Sequence, residues 1–370
     1  MKGNVIVGQS GGPTAAINAS LAGVYRTAKD RGANKVYGML HGIQGLLKEK
    51  YIDLSDHIKT ELDAELLKRT PAAFLGSCRY KLPEIHENRE VYDKIFEILD
   101  KLDIEAFIYI GGNDSMDTIK KLSDYAIVFG HSIRFIGCPK TIDNDLALTD
   151  HTPGYGSAAK YIGTSMKEII RDSFCLEYEK GVVSIVEIMG RNAGWIALES
   201  GIAGSADVIL LPEIPYDINK IAAKVKEREE QGRNFTIIVV AEGAKPKDGD
   251  VVVSKIVADS PDPIRLGGIG NKLADDLEKL IKEHEVRCTV LGHVQRGGNT
   301  STYDRILSTR YGVAAVELMM EGKFGRMVCL KGDTITSDTL ENVIGQNTKK
   351  VNPEGELVQV AKKIGISFAE

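Results

Sequence analysis

Short runs of β-branched and aromatic residues alternate along this chain with stretches in which apolar positions recur every three or four residues. VIVG at 5–8 predicts a strand, and the stretch from about Thr14 to Lys29 a helix that leaves through Gly32, a natural left-handed exit. KVYGM at 35–39 predicts a second strand. Residues 85–102 predict a helix with Val91, Ile95, Ile98, Leu99 and Leu102 on one stripe. EAFIYI at 105–110 and RFIGCP at 134–139 are buried strands that run straight into polar turns, whereas 53–70 is polar and weakly periodic. VVSIVEI (182–188), ADVILLP (206–212) and NFTIIVVAEG (234–243) are nearly continuous apolar runs, the mark of parallel strands covered on both faces. Helical periods fill 156–172, 194–203 and 217–231, the last opened by Asp217 and closed by Gly232. RCTVLGHVQRGG (287–298) predicts a further strand and glycine loop, and 303–320 a strong helix.

This βαβ rhythm predicts an α/β fold of two doubly wound lobes. Residues 1–150 together with about 266–330 are expected to form one discontinuous lobe, residues 151–265 the other, and 331–370 a C-terminal accessory segment. Composition narrows the class. Among 370 residues there are 38 glycines but only 11 prolines, so the extra glycine belongs to turns rather than to a disordered chain. A net charge of −5 offers no basic field for nucleic acid. No apolar stretch approaches a membrane span, and the N-terminus lacks a signal-peptide core. Five scattered cysteines without a CxxC pair argue against a disulfide framework or a structural zinc site. A cytoplasmic enzyme without nucleic-acid or membrane partners is the expectation.

Ligands of such folds lie beyond the carboxyl ends of the strands. The loops there are GQSGGPT (8–14), GGNDS (111–115), PKTIDND (139–145) and MGRNAG (189–194). The first two place glycines between a strand and a helix, where backbone N–H groups can cradle an anion or simply make a tight turn. Neither is GxxxxGK[ST] or GxGxxG, so a Walker loop and a dinucleotide fingerprint are absent. Asp114 is also placed to cap a helix beginning near Met116. In PKTIDND, Lys140, Asp143 and Asp145 lie within six residues. A base for an alcohol proton, a cation for developing charge and a magnesium partner are what phosphoryl transfer requires, although a solvated turn holds the same residue types. Arg191, Glu242, Arg287, His293 and Arg296 add arginine forks for a sugar phosphate and groups for hydroxyls at the ends of other strands. HExxH and HxH do not occur, which speaks against a zinc hydrolase.

The ordered set SGGPTAAIN, GSCR (76–79), GGNDS, PKTIDND, VVSIVEIMGRNAGW, VAEG and VLGHVQRGG followed by YDR resembles the phosphofructokinases, which phosphorylate fructose 6-phosphate at its 1-hydroxyl. The likeness runs from Gly8 to about Met327 and implies a phosphofructokinase-like fold with the active site in the cleft between two lobes. By this resemblance Asp143 is the base, Lys140 and Arg191 stabilise the transferred group, and Thr141 and Ile142 line the same loop. Gly12, Arg79, Asn113, Asp114 and Lys140 would meet the donor. Met189, Gly190, Arg191 and Glu242 would hold the sugar, and His293 and Arg296 its 6-phosphate end. Arg287 would be lent by a neighbouring subunit, which implies a homodimer or homotetramer. Mg²⁺ is the implied cofactor, with Asn113 and Asp145 on it. Asn113 replaces the usual aspartate, and Val182 stands where an arginine is often lent across the interface.

ATP-using bacterial members typically carry GGDGS and PGTIDND, whereas Asp114 and Lys140 resemble the pyrophosphate-dependent branch. An acidic side chain protrudes where an ATP α-phosphate would lie, and a lysine suits a small, highly charged donor. Thr118, in place of a glycine that admits adenine, and His41, in place of a stacking tyrosine, lean the same way. Pyrophosphate is therefore the expected donor and ATP the alternative. Sedoheptulose 7-phosphate is a further candidate acceptor. A catalytically silent regulatory subunit is the reading outside enzymology, and a nicotinamide dehydrogenase lacks its fingerprint here.

Overall fold

The computed structural model describes residues 3–176, 180–256 and 264–370. Contacts divide the chain into two units. Met1–Ile142, Leu146–Ser157 and Arg296–Asn347 make the first, and Asp143–Asp145, Ala158–Gln295 and Thr348–Glu370 the second. In chain order the strands are β1 (Asn4–Gln9), β2 (Val36–Met39), β3 (Tyr51–Asp53), β4 (Ile104–Gly111), β5 (Arg134–Pro139), β6 (Gly181–Ile188), β7 (Val208–Leu210), β8 (Phe235–Ala241), β9 (Val253–Ile256), β10 (Ile264–Leu266), β11 (His284–Val290), β12 (Arg326–Lys331) and β13 (Thr334–Thr339).

The first unit is built on one sheet in the order β13-β12-β5-β4-β1-β2-β3. Its five inner strands run parallel, and the outer β3 and β13 run antiparallel to their neighbours. Both faces are covered, which explains the unbroken apolar runs. Along β4, Ala106, Ile108 and Ile110 enter one core cluster, while Phe107 and Tyr109 enter the cluster on the opposite face. The second unit holds a four-stranded parallel sheet, β11-β6-β8-β7, and a two-stranded antiparallel ribbon of β9 and β10. Val183, Ile185, Val208, Leu210, Ile238 and Val240 share one of its buried clusters.

The helix after the first glycine loop, Ile17–Asp30, packs on Thr302–Met320 in the first unit. Glycines set how closely they approach. A Cβ on Gly312 would stand 2.1 Å from the Ser20 carbonyl oxygen, and one on Gly23 would stand 2.6 Å from that of Thr309. The first helix ends as its sequence suggests: Gly32, at φ +82°, donates its N–H to the Lys29 carbonyl.

Three features depart from the sequence expectation. The return to the first unit falls at Arg296 rather than near 266, because β11 pairs with β6 from His284 to Val290 and so stays with the second sheet. The tail is divided: β12 and β13 extend the first sheet, while Thr348–Glu370 belongs to the second unit. There Ser367 exchanges backbone hydrogen bonds of 2.9 Å with Asp207 and Ile209 beside β7, a pairing with no hydrophobic period to announce it. Within polar 53–70, Glu61–Arg69 is a helix held by a capping box between Thr60 and Asp63. Among the described residues, no helix is long and apolar enough to cross a membrane.

Gly312→Val is expected to push the two packed helices apart and cost about 1–3 kcal/mol. It should appear as a lower urea midpoint of the helical circular-dichroism signal, and an unchanged midpoint would show that the crossing tolerates a side chain.

Candidate active site

In the first unit the chain turns sharply after β1 through Ser10, Gly11 and Gly12, with Gly11 at φ +76°. The turn is fastened from several sides. Gln9, fully buried, donates from Nε2 to Asn18 Oδ1 and accepts the Leu75 N–H on Oε1. Gly11 donates its N–H to the Cys78 carbonyl at 3.0 Å, and Ser77 Oγ donates to the Gly11 carbonyl. The GSCR segment therefore lies along the glycine turn, with Arg79 exposed beside it.

Lys140 joins two of the predicted loops. Its backbone N–H donates to the Gly111 carbonyl at 2.8 Å, and its Nζ donates to the Gly12 carbonyl, also at 2.8 Å. Only 2% of its surface remains exposed. A buried ammonium is costly unless acceptors meet it, and the Gly12 carbonyl is one such acceptor. A Cβ on Gly11 would lie 3.2 Å from that Nζ, and one on Gly12 would lie 2.9 Å from Cζ of Arg296. The Arg296 guanidinium thus stands over Gly12, among the residues expected to meet the donor.

The helix Asn113–Phe129 starts earlier than expected, with Gly112 at its N-cap and no side-chain cap. Asp114 therefore sits in the first turn rather than capping it. Its side chain is 74% exposed and lies 3.7 Å from Lys81 Nζ. Asn113 is exposed one position earlier, and Thr118 is buried with Oγ1 donating to the Asp114 carbonyl at 2.9 Å. His41 adopts φ +59° and sets its ring against Gly76. Thr141 accepts from Thr152 Oγ1 through its carbonyl at 2.9 Å, and Ile142 is buried. The next turn, Gly154–Ser157, is anchored by buried Asp304 of YDR, whose carboxylate accepts from both backbone N–H groups and from Ser157 Oγ. Burial pushes the Asp304 carboxyl above the ordinary range, against the pull of those hydrogen bonds.

In the second unit, Asp143 is half-buried, Asn144 takes φ +51° and Asp145 is buried. The Asp145 carbonyl accepts the Lys349 N–H at 2.9 Å, and the Lys349 carbonyl accepts Trp195 Nε1 at 2.9 Å. Glu213 continues this strap: one Oε1 takes both the Gly194 N–H (3.0 Å) and the Val351 N–H (2.9 Å). The tail is thereby tied to the DND turn and to the far end of MGRNAG.

Met189, Gly190 and Arg191 leave the end of β6, and Glu242 and Gly243 leave β8 beside them. The Glu242 N–H donates to the Ile188 carbonyl (2.9 Å) and the Gly243 N–H to that of Gly190 (3.2 Å). A Cβ on Gly243 would come within 2.0 Å of the Arg191 carbonyl oxygen, so only glycine lets these loops meet. His293 lies exposed in the short helical turn Gly292–Arg296 after β11. Arg287, on edge strand β11, is paired within its own chain to Glu285 (2.8 Å) and Asp172 (3.3 Å). Val182 is buried in the sheet, and among the described residues no three His, Cys, Asp or Glu side chains gather as a metal cage.

Sequence reasoning passed over Gln295, Glu213 and Lys81. Gln295 and Glu213 are polar residues beside motif positions, and burial is the property that pattern alone does not display.

Glycine turns beyond parallel strands, with a buried ammonium against one of them, define an α/β protein built to handle phosphate groups. The phosphofructokinase family model matches residues 4–319. The chain is 53% identical over 370 residues to the ATP-dependent 6-phosphofructokinase 2 of Clostridium perfringens, covering 97% of this chain and 96% of that one. It is 39% identical over 328 residues to the pyrophosphate–fructose 6-phosphate 1-phosphotransferase of Xanthomonas campestris, covering 86% and 77%. The crystal structure of a pyrophosphate-dependent phosphofructokinase from Marinobacter aquaeolei superposes with a TM-score of 0.83 at 33% identity, covering 99% of this chain and 88% of that one. The chain belongs to the phosphofructokinase family and is an enzyme of the phosphoryl-transferring kind.

Glu213→Ala removes the acceptor shared by Gly194 and Val351. Amide hydrogen exchange in peptides spanning 190–196 and 348–353 should accelerate together, each by about tenfold or more, since a hydrogen bond to a charged group contributes about 1.5–3 kcal/mol. Acceleration in one peptide alone would separate the two ends of the strap.

Proposed function

We propose that this enzyme transfers a phosphoryl group to the 1-hydroxyl of fructose 6-phosphate, giving fructose 1,6-bisphosphate. Asp143 accepts the hydroxyl proton as the sugar oxygen attacks in line. Lys140 and Arg191 offset charge on the transferring group, with no phospho-enzyme intermediate. Met189, Gly190, Arg191 and Glu242 hold the sugar, His293 takes its 6-phosphate end, and Arg287 serves the site of a neighbouring copy in a homo-oligomer. Arg296, expected with His293, stands over Gly12 and so serves the donor's glycine turn as well. Magnesium suits this residue set as an ion carried in by the donor. Mg²⁺ keeps much of its water and is held by one or two carboxylates plus phosphates, so no protein cage is required. Asn113 and Asp145 would meet its water shell, and the ion would neutralise the phosphate oxygens.

The observation that carries the donor reading is the buried Lys140 ammonium on the Gly12 carbonyl. A fixed cation against a glycine turn fits the compact, highly charged pyrophosphate. Asp114 in the next helix's first turn adds like-charge repulsion against a longer polyphosphate. A second reading, ATP, is supported by the relatives' names: the 53% identical relative is named ATP-dependent, against 39% for the pyrophosphate enzyme. Sequence likeness alone weighs toward ATP, and the two side chains weigh toward pyrophosphate.

Initial rates with fructose 6-phosphate and magnesium, coupled through aldolase, separate the two. Pyrophosphate is expected to support turnover well above ATP, and Lys140→Gly to lower the pyrophosphate rate by about 10²–10³-fold, the usual loss for one preorganised electrostatic partner. A dominant ATP rate in the unmodified enzyme would establish the second reading. Turnover with neither donor would count against fructose 6-phosphate as acceptor.

A further inference from the structure

Gln295 lies between two residues of the proposed sugar-phosphate set, His293 and Arg296, yet its own side chain turns inward. It is 1% exposed. Both ends of its amide are used. Oε1 accepts the backbone N–H of Met189 at 3.1 Å, and Nε2 donates to the carbonyl of Gly292 at 2.7 Å. The first bond reaches across to the end of β6, and the second folds the side chain back on the helical turn that carries His293.

These bonds reinforce a backbone link one residue away, where the Leu291 N–H donates to the Glu187 carbonyl at 3.1 Å. Met189 opens the loop that continues into Gly190, whose φ of +136° leaves it without the restraint of a regular strand. On its other side that loop is pinned by Gly243. The loop is thus gripped from two sides, by a glycine contact and by one side-chain amide. A carboxylate at position 295 would accept from Met189 but face the Gly292 carbonyl with no hydrogen to offer. A thioether of the same length would do neither. Only the amide satisfies a donor and an acceptor at once.

We infer that Gln295 is a positioning residue for the sugar-phosphate side of the site. It sets the Met189–Arg191 loop and the His293 turn in one fixed register without touching substrate itself. The inference rests on the assignment of these two loops to the sugar phosphate. Losing the clamp should weaken the binding of the acceptor, which needs both loops in register, more than that of the donor, whose glycine turn meets this helical turn only through Arg296.

The test compares unmodified enzyme, Gln295→Glu and Gln295→Met, measuring KM for fructose 6-phosphate, KM for the working donor, kcat and the melting temperature. The acceptor KM is expected to rise by about tenfold or more in both variants, through lost hydrogen bonds in Gln295→Met and through repulsion from the Gly292 carbonyl in Gln295→Glu. The donor KM should rise clearly less than the acceptor KM. If Gln295→Glu fails to fold, Gln295→Met carries the comparison, because it preserves shape and buries no charge. Equal rises in both KM values, or an unchanged acceptor KM in a folded variant, would overturn the positioning role while leaving the activity of the unmodified enzyme intact. Unmodified enzyme that does not turn over fructose 6-phosphate would remove the functional reading and this inference together.

Discussion

Lys140 binds two loops at once, and the geometry of the first unit's glycine turns follows from it. The backbone N–H holds Gly111 at the end of β4, and the ammonium holds Gly12 beyond β1. A buried ammonium needs acceptors, and the Gly12 carbonyl of the turn is one of them. The glycines answer that demand: a side chain on Gly11 or Gly12 would press on Lys140 Nζ or on the Arg296 guanidinium. Small residues, a cation and two strand ends therefore specify one another.

The second unit reaches a comparable precision with side-chain and glycine contacts to its backbone. Gln295 clamps the loop after β6, Gly243 lets the β8 loop press against it, and Glu213 gathers Gly194 and Val351 onto one oxygen. Each device joins segments far apart in sequence, and each satisfies backbone N–H groups that a strand end would otherwise leave open. The sheets bring the loops to one edge, and these contacts set their register.

Much of this was legible in the chain. Strand positions such as Arg134–Pro139 coincide with their apolar runs because burial on both faces leaves no room for polar alternation. The helix opened by Asp217 begins where its cap implies, with the carboxylate accepting the Asn219 N–H. Long-range relations were less visible. β11 reads as a strand, but nothing in its composition says that it pairs with β6, so the unit boundary was misplaced. Asp114 reads equally as cap or first-turn residue, and the start of the helix at Asn113 decides between them. The loops that carry the candidate residues were legible through their motifs. Gln295 was not, because a buried amide and a solvated one have the same sequence signature.

The division of the tail bears on how the chain comes to be folded. The first unit borrows Arg296–Asn347, and the second is completed only by Thr348–Glu370. Until Ser367 arrives beside Val208, the outer edge of β7 has bare N–H and C=O groups capable of pairing with another strand. Synthesis proceeds from the N-terminus at about 5–20 residues per second, so the ribosome releases most of both units before either can close. The nascent polypeptide therefore passes through an interval in which its longest-range contacts are missing and its sheets are open. Unpaired strand edges of that kind are the general route by which incompletely folded chains associate.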